Sequence, residues 1–221
     1  MEELNDLLKN PFDGLNPNDE NGFINKCSDI AEKLLNNYCI LCGEKKYHFA
    51  EVEFYYFDQN RFNGKWNEIT YERNGHACEL FYHLSGVDIC FDGYLKKNKG
   101  KDKEKTGYGG GILIRSIWIK ENNERIITIG PLTCVNKMLN ACKNGEMPKL
   151  SRLHESEQDN FIPSETYRYL GNKDFKAILE KKNIDKDLKL AYYNPQISPA
   201  EWNKARSSYY KERIVKYNNH R

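Results

Sequence analysis

No stretch of this 221-residue chain stays apolar for anything near the roughly 18 residues that a membrane-spanning helix takes. The opening decapeptide, MEELNDLLKN, is acidic and lacks the basic start and apolar middle of a secretory leader, so an intracellular protein is expected. A disulfide framework is missing too. The seven cysteines (Cys27, Cys39, Cys42, Cys78, Cys90, Cys134, Cys142) are odd in number and scattered. Cys39 and Cys42 make a CxxC with no second CxxC and no paired histidines to complete a zinc site; they read as apolar strand residues. His48, His83, His154 and His220 show no metal-ligand spacing, and no cysteine stands in a nucleophile signature. No metal and no cofactor is expected, and there is no internal repeat.

Charged residues at 30% and hydrophobic ones at 39% describe a globular chain, long enough for one large domain or one domain with an extension. The net charge of +2 is uninformative until it is mapped. In KKNKGKDKEK (96–105) six lysines oppose two acids, and in the last twenty residues six Lys/Arg oppose one Glu. Such segments fit the backbone of a nucleic acid, or else a solvated loop and helix face.

Residues 1–22 combine a short helical pattern with NPFDGLNPNDENG, which reads as an arm. Helical spacing over 24–38 and 132–144 predicts two amphipathic helices, the second ending at Gly145. Strands are expected at about 38–43, 47–57, 79–92, 111–120 and 125–129, with a turn or bulge at Ser85-Gly86. Residues 173–182 look helical. SPAE (198–201) is a capping box with proline at the first helical position, so a helix of about 18 residues follows. The expected fold class is α+β: a single mixed domain with a curved antiparallel β-sheet surrounded by helices (23–175), an N-terminal arm (1–22) and a basic helical C-terminal extension (176–221).

The stretch HFAEVEFYYF (48–57) sets carboxylates into an aromatic strand. Alternation puts Ala50, Val52, Phe54 and Tyr56 on one face and Glu51, Glu53, Tyr55 and Phe57 on the other. The second face is either exposed sheet or the wall of a pocket. Arg115 interrupts the apolar strand ILIRSIWI, where a lone cation is costly unless paired, and Glu53 is a candidate partner.

The order of these features resembles the alkyladenine (3-methyladenine) DNA glycosylase family over about residues 27–175. Its E-T-E-A-Y strand matches EVEFY (51–55), and its Y-x-x-Y-G-M-x-x-C-x-N strand matches FYHLSGVDICFD with Tyr82, Gly86, Cys90 and Asp92 in register. V-L-L-R-A matches ILIRS (112–116), and a helix-opening G-P matches Gly130-Pro131. SRLHES and YRYLGN resemble its closing segments. The resemblance implies a monofunctional enzyme of base excision repair that flips an alkylated or deaminated purine out of damaged duplex DNA and hydrolyses its N-glycosidic bond. It implies Glu53 as the base that activates water, Arg115 beside it, Glu51 as non-catalytic, and Tyr55 and Tyr82 as the rings that hold the base. It also implies a monomer that binds DNA and no membrane, with Lys96, Lys97 and Lys99 as phosphate contacts.

Three positions depart from the family. Ser85 stands where a tyrosine wedges into the duplex, Gly64 where a histidine stacks on the base, and Asp92 where a pocket asparagine screens guanine. Trp66 or His76 are the nearby candidates for the missing stack. These departures keep two alternatives in view: a non-catalytic nucleic-acid or modified-base binding module, and a glycosidase of free nucleosides or single strands.

Overall fold

The computed structural model describes residues 1–16, 18–60, 73–97, 105–169 and 188–218. The expected helix at 173–182, Gly64, Trp66 and Lys99 lie outside them. The described residues build one mixed α+β unit around a strongly curled antiparallel sheet.

Two long strands organise it. β2 (Lys45–Asp58) runs antiparallel to β7 (Lys105–Glu121), from His48 opposite Trp118 to Asp58 opposite Tyr108. The β-branched and aromatic residues of both strands favour this extended pairing. A Cβ on Gly110 of β7 would run into the Tyr55 carbonyl oxygen, so glycine is what lets the two backbones lie this close. Shorter strands flank the pair. β1 (Tyr38–Cys42) lies against the start of β2 and carries β9 (Lys149–Arg152) on its outer edge. β11 (Leu188–Tyr193) pairs with Glu51–Glu53 of β2 and bears β10 (Ser164–Tyr169). On the far side of β7 sit β8 (Glu124–Ile129), β5 (Gly86–Cys90) and β6 (Gly93–Lys97), with β4 (Leu80–His83) outside β5 and β3 (Arg73–Gly75) outside β6.

One face of the sheet is the core. Val52, Phe54 and Tyr56 of β2, Ile112 and Ile114 of β7, and Val87 and Ile89 of β5 pack there beneath α2 (Glu20–Asn37) and α3 (Pro131–Ala141). Asp19 caps α2 through its carboxylate on Gly22 N–H. Leu4 and Leu8 of α1 (Glu2–Lys9) and the following Phe12 are buried in this same core. Residues 1–16 are therefore part of the domain rather than an arm; Leu4 and Leu8, four apart, put an apolar stripe on α2. The expected helical C-terminal extension is present as the helix from Pro199, but it starts later than residue 176, because β11 is a sheet strand whose Leu190 and Tyr192 are buried.

A second, smaller cluster lies on the opposite face: Ala50, Trp118 and Ile197, joined by Trp202 of α4 (Pro199–Asn218). Ser198 and Glu201 form the capping box that starts α4. The Ser198 N–H donates to the Glu201 carboxylate at 2.7 Å, and the Glu201 N–H donates to the Ser198 hydroxyl at 3.3 Å. Gly130, with φ +94°, leaves room for the Tyr209 ring, 2.9 Å from where its Cβ would be. Among the described residues no helix is long and apolar enough to cross a membrane.

Candidate functional site

Two irregularities in the β2–β7 ladder build the site. Phe49 pairs with Ile117 and Glu51 with Ser116, which leaves Ala50 without a partner; Val52 then pairs with Ile114, which leaves Arg115 without one. Each extra residue is a β-bulge, and bulges re-aim side chains. Leu113, Arg115 and Ser116 thereby all look toward the face that carries Glu51, Glu53 and Tyr55. The face that alternation assigned to these acids is neither core nor open sheet. Glu51 and Glu53 are 3% and 2% exposed, and Ser116 is fully buried.

The carboxylates are partnered from β7. Arg115 Nη1 lies 2.8 Å from Glu53 Oε2. The Ser116 hydroxyl donates to Glu51 Oε2 at 3.3 Å. The Tyr55 hydroxyl donates to Glu53 Oε1, across the two-residue repeat that puts both on one face. Burial, and then the negative charge of Glu53, push the Tyr55 phenol far above its ordinary range, so it remains a neutral donor. Burial works against the Arg115 cation, but Glu53 and then Glu51 outweigh it and raise its pKa. Among the described residues neither Glu53 Oε2 nor Arg115 Nε makes a hydrogen bond. An acceptor and a donor with unspent capacity thus sit side by side on a buried surface. The Arg115 carbonyl is fixed in turn by the Gly130 N–H at 2.9 Å, which ties the bulge to the start of α3.

The other expected site residues are dispersed. Tyr82 does not face Tyr55. It pairs with Val87 and packs on the core face, where burial pushes its phenol up to about 12. The reason is register: the β4–β5 turn is Leu84-Ser85, so the residues on the Glu53 face are Phe81, opposite Asp88, and His83. Ser85 is exposed in that turn with its hydroxyl 3.1 Å from His83 Nδ1. Asp92 holds the next turn, accepting the Ala77 N–H at 2.8 Å while its own N–H donates to the Leu8 carbonyl. Lys96 is exposed on β6 and Lys97 ends that strand.

The sequence reading missed Asp88 and His83. Asp88 is 2% exposed and stands in a row across three strands, Glu53–Leu113–Asp88. His83 Nε2 is 3.1 Å from its Oδ1. The signal was an isolated acid in the apolar run GVDIC, the same anomaly that drew attention to Glu51 and Glu53. The seven cysteines carry free thiols. Burial pushes Cys39 up to about 11 and Cys42 up to about 12, which makes both inert as thiolates.

The fold and the site thus define an α+β protein whose curled sheet bears a buried carboxylate–arginine–tyrosine cluster. No family model, no curated protein and no solved structure matches the chain.

Proposed function

We propose that the protein is a DNA glycosylase of the 3-methyladenine type, which flips an alkylated or deaminated purine from damaged duplex and hydrolyses its N-glycosidic bond. The observation that carries this reading is Glu53: a buried carboxylate with one oxygen held by the neutral Tyr55 hydroxyl and the other beside the Arg115 cation without a hydrogen bond. Hydrolysis of a glycosidic bond passes through a sugar with oxocarbenium character. A carboxylate in this setting takes a proton from water and offsets the developing positive charge. Arg115 holds Glu53 and presents Nε, a further donor for the attacking water. The Tyr55 ring supplies a flat wall for the base on the same face.

The hairpin next to this face supports DNA as the substrate. Leu84 at its tip is 94% exposed, an apolar side chain of the kind that inserts between base steps. It replaces Ser85 as the wedge. Lys96 and Lys97 close β6 and Lys99 follows them in the lysine-rich segment of the sequence, where they would contact phosphates. In this reading the protein acts inside the cell, as a monomer, without metal or cofactor.

A non-catalytic base-binding module is favoured by one set of contacts, the use of Ser85 and Asp92 in local turns and of Tyr82 in the core. Base release decides between the two. Duplexes carrying 3-methyladenine, 7-methylguanine, hypoxanthine or ethenoadenine are incubated with wild type and Glu53→Gln, and abasic sites are counted after alkaline cleavage. Wild type is expected to release at least one base, and Glu53→Gln to be slower by on the order of 100-fold or more. Equal release by both removes Glu53 from the chemistry. Binding without release selects the module, and release from nucleosides but not duplex selects the free-nucleoside glycosidase.

A further inference from the structure

Two thiols from distant parts of the chain meet at the edge of the core. Cys42 ends β1, and Cys142 stands at the C-terminal cap of α3. Their side chains are hydrogen-bonded to each other. The backbones beside them are as close: a Cβ on Gly43 would lie 3.8 Å from the Ala141 carbonyl oxygen. Cys42 is fully buried in the core cluster, and Ala141 and the half-buried Cys142 pack against it. The Tyr82 hydroxyl, buried and without a hydrogen bond among the described residues, lies within electrostatic reach of both sulfurs. Among the described residues no three of His, Cys, Asp and Glu are placed to hold a metal ion, Cys39 and this pair included.

A disulfide brings its sulfurs to about 2.05 Å, so both backbones must give a little. Both cysteines stand at element ends, next to turns that can give. Gly43 follows Cys42 at φ +60°, with nothing nearer than 3.7 Å to where its Cβ would be. Asn144 and Gly145 follow Cys142 at φ +55° and φ +76°. Exposure sets the order of events. Cys142 is reached from solvent and Cys42 is not. Burial, and then the Cys142 thiol, push Cys42 up to about 12, so it is not the first to react. A peroxide oxidises the Cys142 sulfur to a sulfenic acid; one peroxide oxygen joins the sulfur and the other leaves as water. The Cys42 sulfur then attacks the Cys142 sulfur. Its proton departs with the sulfenic oxygen as a second water, and the S–S bond forms. A dithiol reductant returns both thiols and is itself oxidised to a disulfide.

We infer that Cys42 and Cys142 form a reversible redox clamp, closed by a peroxide and opened by a dithiol, which links the end of β1 to the end of α3; this stands whatever chemistry Glu53 performs. The closed loop spans about 100 residues and contains Glu53, Tyr55 and Arg115. Because the Gly130 N–H already ties the start of α3 to the Arg115 carbonyl, the clamp braces the strand pair that carries them. The full-length protein is treated with a small excess of hydrogen peroxide under native conditions, quenched, and digested without reduction. Wild type is expected to lose two of its seven free thiols and to yield a linked peptide, its bond placed by fragmentation at Cys42 rather than Cys39. Its melting temperature should rise by at least about 5 °C and fall back on addition of dithiothreitol, since closing so long a loop restricts the unfolded chain. Cys142→Ser should show neither the link nor the rise. Cys42→Ala should leave Cys142 as a sulfenic acid that dimedone traps. If Cys42→Ala does not fold, the wild-type peptide map alone decides. No linked peptide, a dominant link between other cysteines, or a link that forms only in urea overturns the clamp, and so does a link that lowers the melting temperature.

Discussion

Arg115 is a cation placed in an apolar strand, and the arrangement holds only as a pair. Deleting it leaves Glu53 as a buried carboxylate without its counter-charge, beside Glu51 on the same face. Arg115→Ala is expected to lower stability by roughly 3–5 kcal/mol, read from the urea midpoint, and the double variant with Glu53→Gln to recover part of that loss. No recovery would show that Arg115 stabilises through its aliphatic stem instead. His48 offers a pH readout at the same scale. Its ring stacks on Trp118 at 4.1 Å, and burial holds its pKa below the ordinary 6.5, outweighing the opposing pull of Asp159 and Glu157. Lys46 and Arg125 push it further down. The folded state therefore binds fewer protons than the unfolded chain in mild acid. His48 stabilises fully above pH 6.5, and that contribution is lost as pH falls through the lowered folded-state pKa. Between about pH 7.5 and pH 5, His48→Phe is expected to flatten the fall in urea midpoint while keeping the stack; an unchanged slope would assign the pH dependence elsewhere.

At the scale of elements, the capping box is the cleanest local signal. Ser198→Ala removes the hydroxyl that accepts the Glu201 N–H and is expected to cost about 1 kcal/mol in denaturant unfolding, with Ser198→Thr retaining most of it. SPAE was legible because a cap is written within four residues. So were α2, α3, β1, β2 and β8, whose periodicities agree with their surroundings. The stretch 79–92 was read as strand with a turn or bulge at Ser85-Gly86. The structure turns the chain back at Leu84-Ser85, and that turn decides which residues meet Glu53. With it in place Phe81 and His83 share the polar face and Tyr82 goes to the core; with turn and bulge both open the sequence gave no way to choose. β9, β10 and β11 were missed because their partners are remote. Leu190 is buried through β11's pairing with β2, more than 130 positions earlier in the chain, and no local pattern encodes that. The bulges at Ala50 and Arg115 were equally invisible. The sequence shows an acid strand and an arginine strand, while only the register puts Glu53 opposite Leu113 with Arg115 two residues beyond it.

At the scale of the molecule, the question is whether the hairpin and the lysine-rich edge act on one ligand. β7 links them. Its Leu113 pairs with Asp88 of the β4–β5 hairpin, and its Thr106 pairs with Lys96. A duplex lying along this side would meet the exposed Leu84 and the exposed Lys96 together. The two interactions differ in kind and so separate experimentally. Neutralising Lys96, Lys97 and Lys99 to Gln is expected to weaken binding of damaged and undamaged duplex alike. For every lysine that pairs with a phosphate, its neutralisation should also shallow the slope of log affinity against log salt by about 0.9. Leu84→Ala is expected to leave that slope unchanged, because it removes no charge, and to slow base release from duplex at least about 10-fold while sparing single strands, where no gap needs filling. Its side chain touches almost nothing in the fold, so thermal stability should be unaltered, and any drop in release reports on DNA rather than on folding. If the triple lysine variant keeps the wild-type salt slope, the lysine segment is a solvated edge. If Leu84→Ala then still releases base from duplex at the wild-type rate, the hairpin is no wedge, and the protein takes its base from strands that are already open.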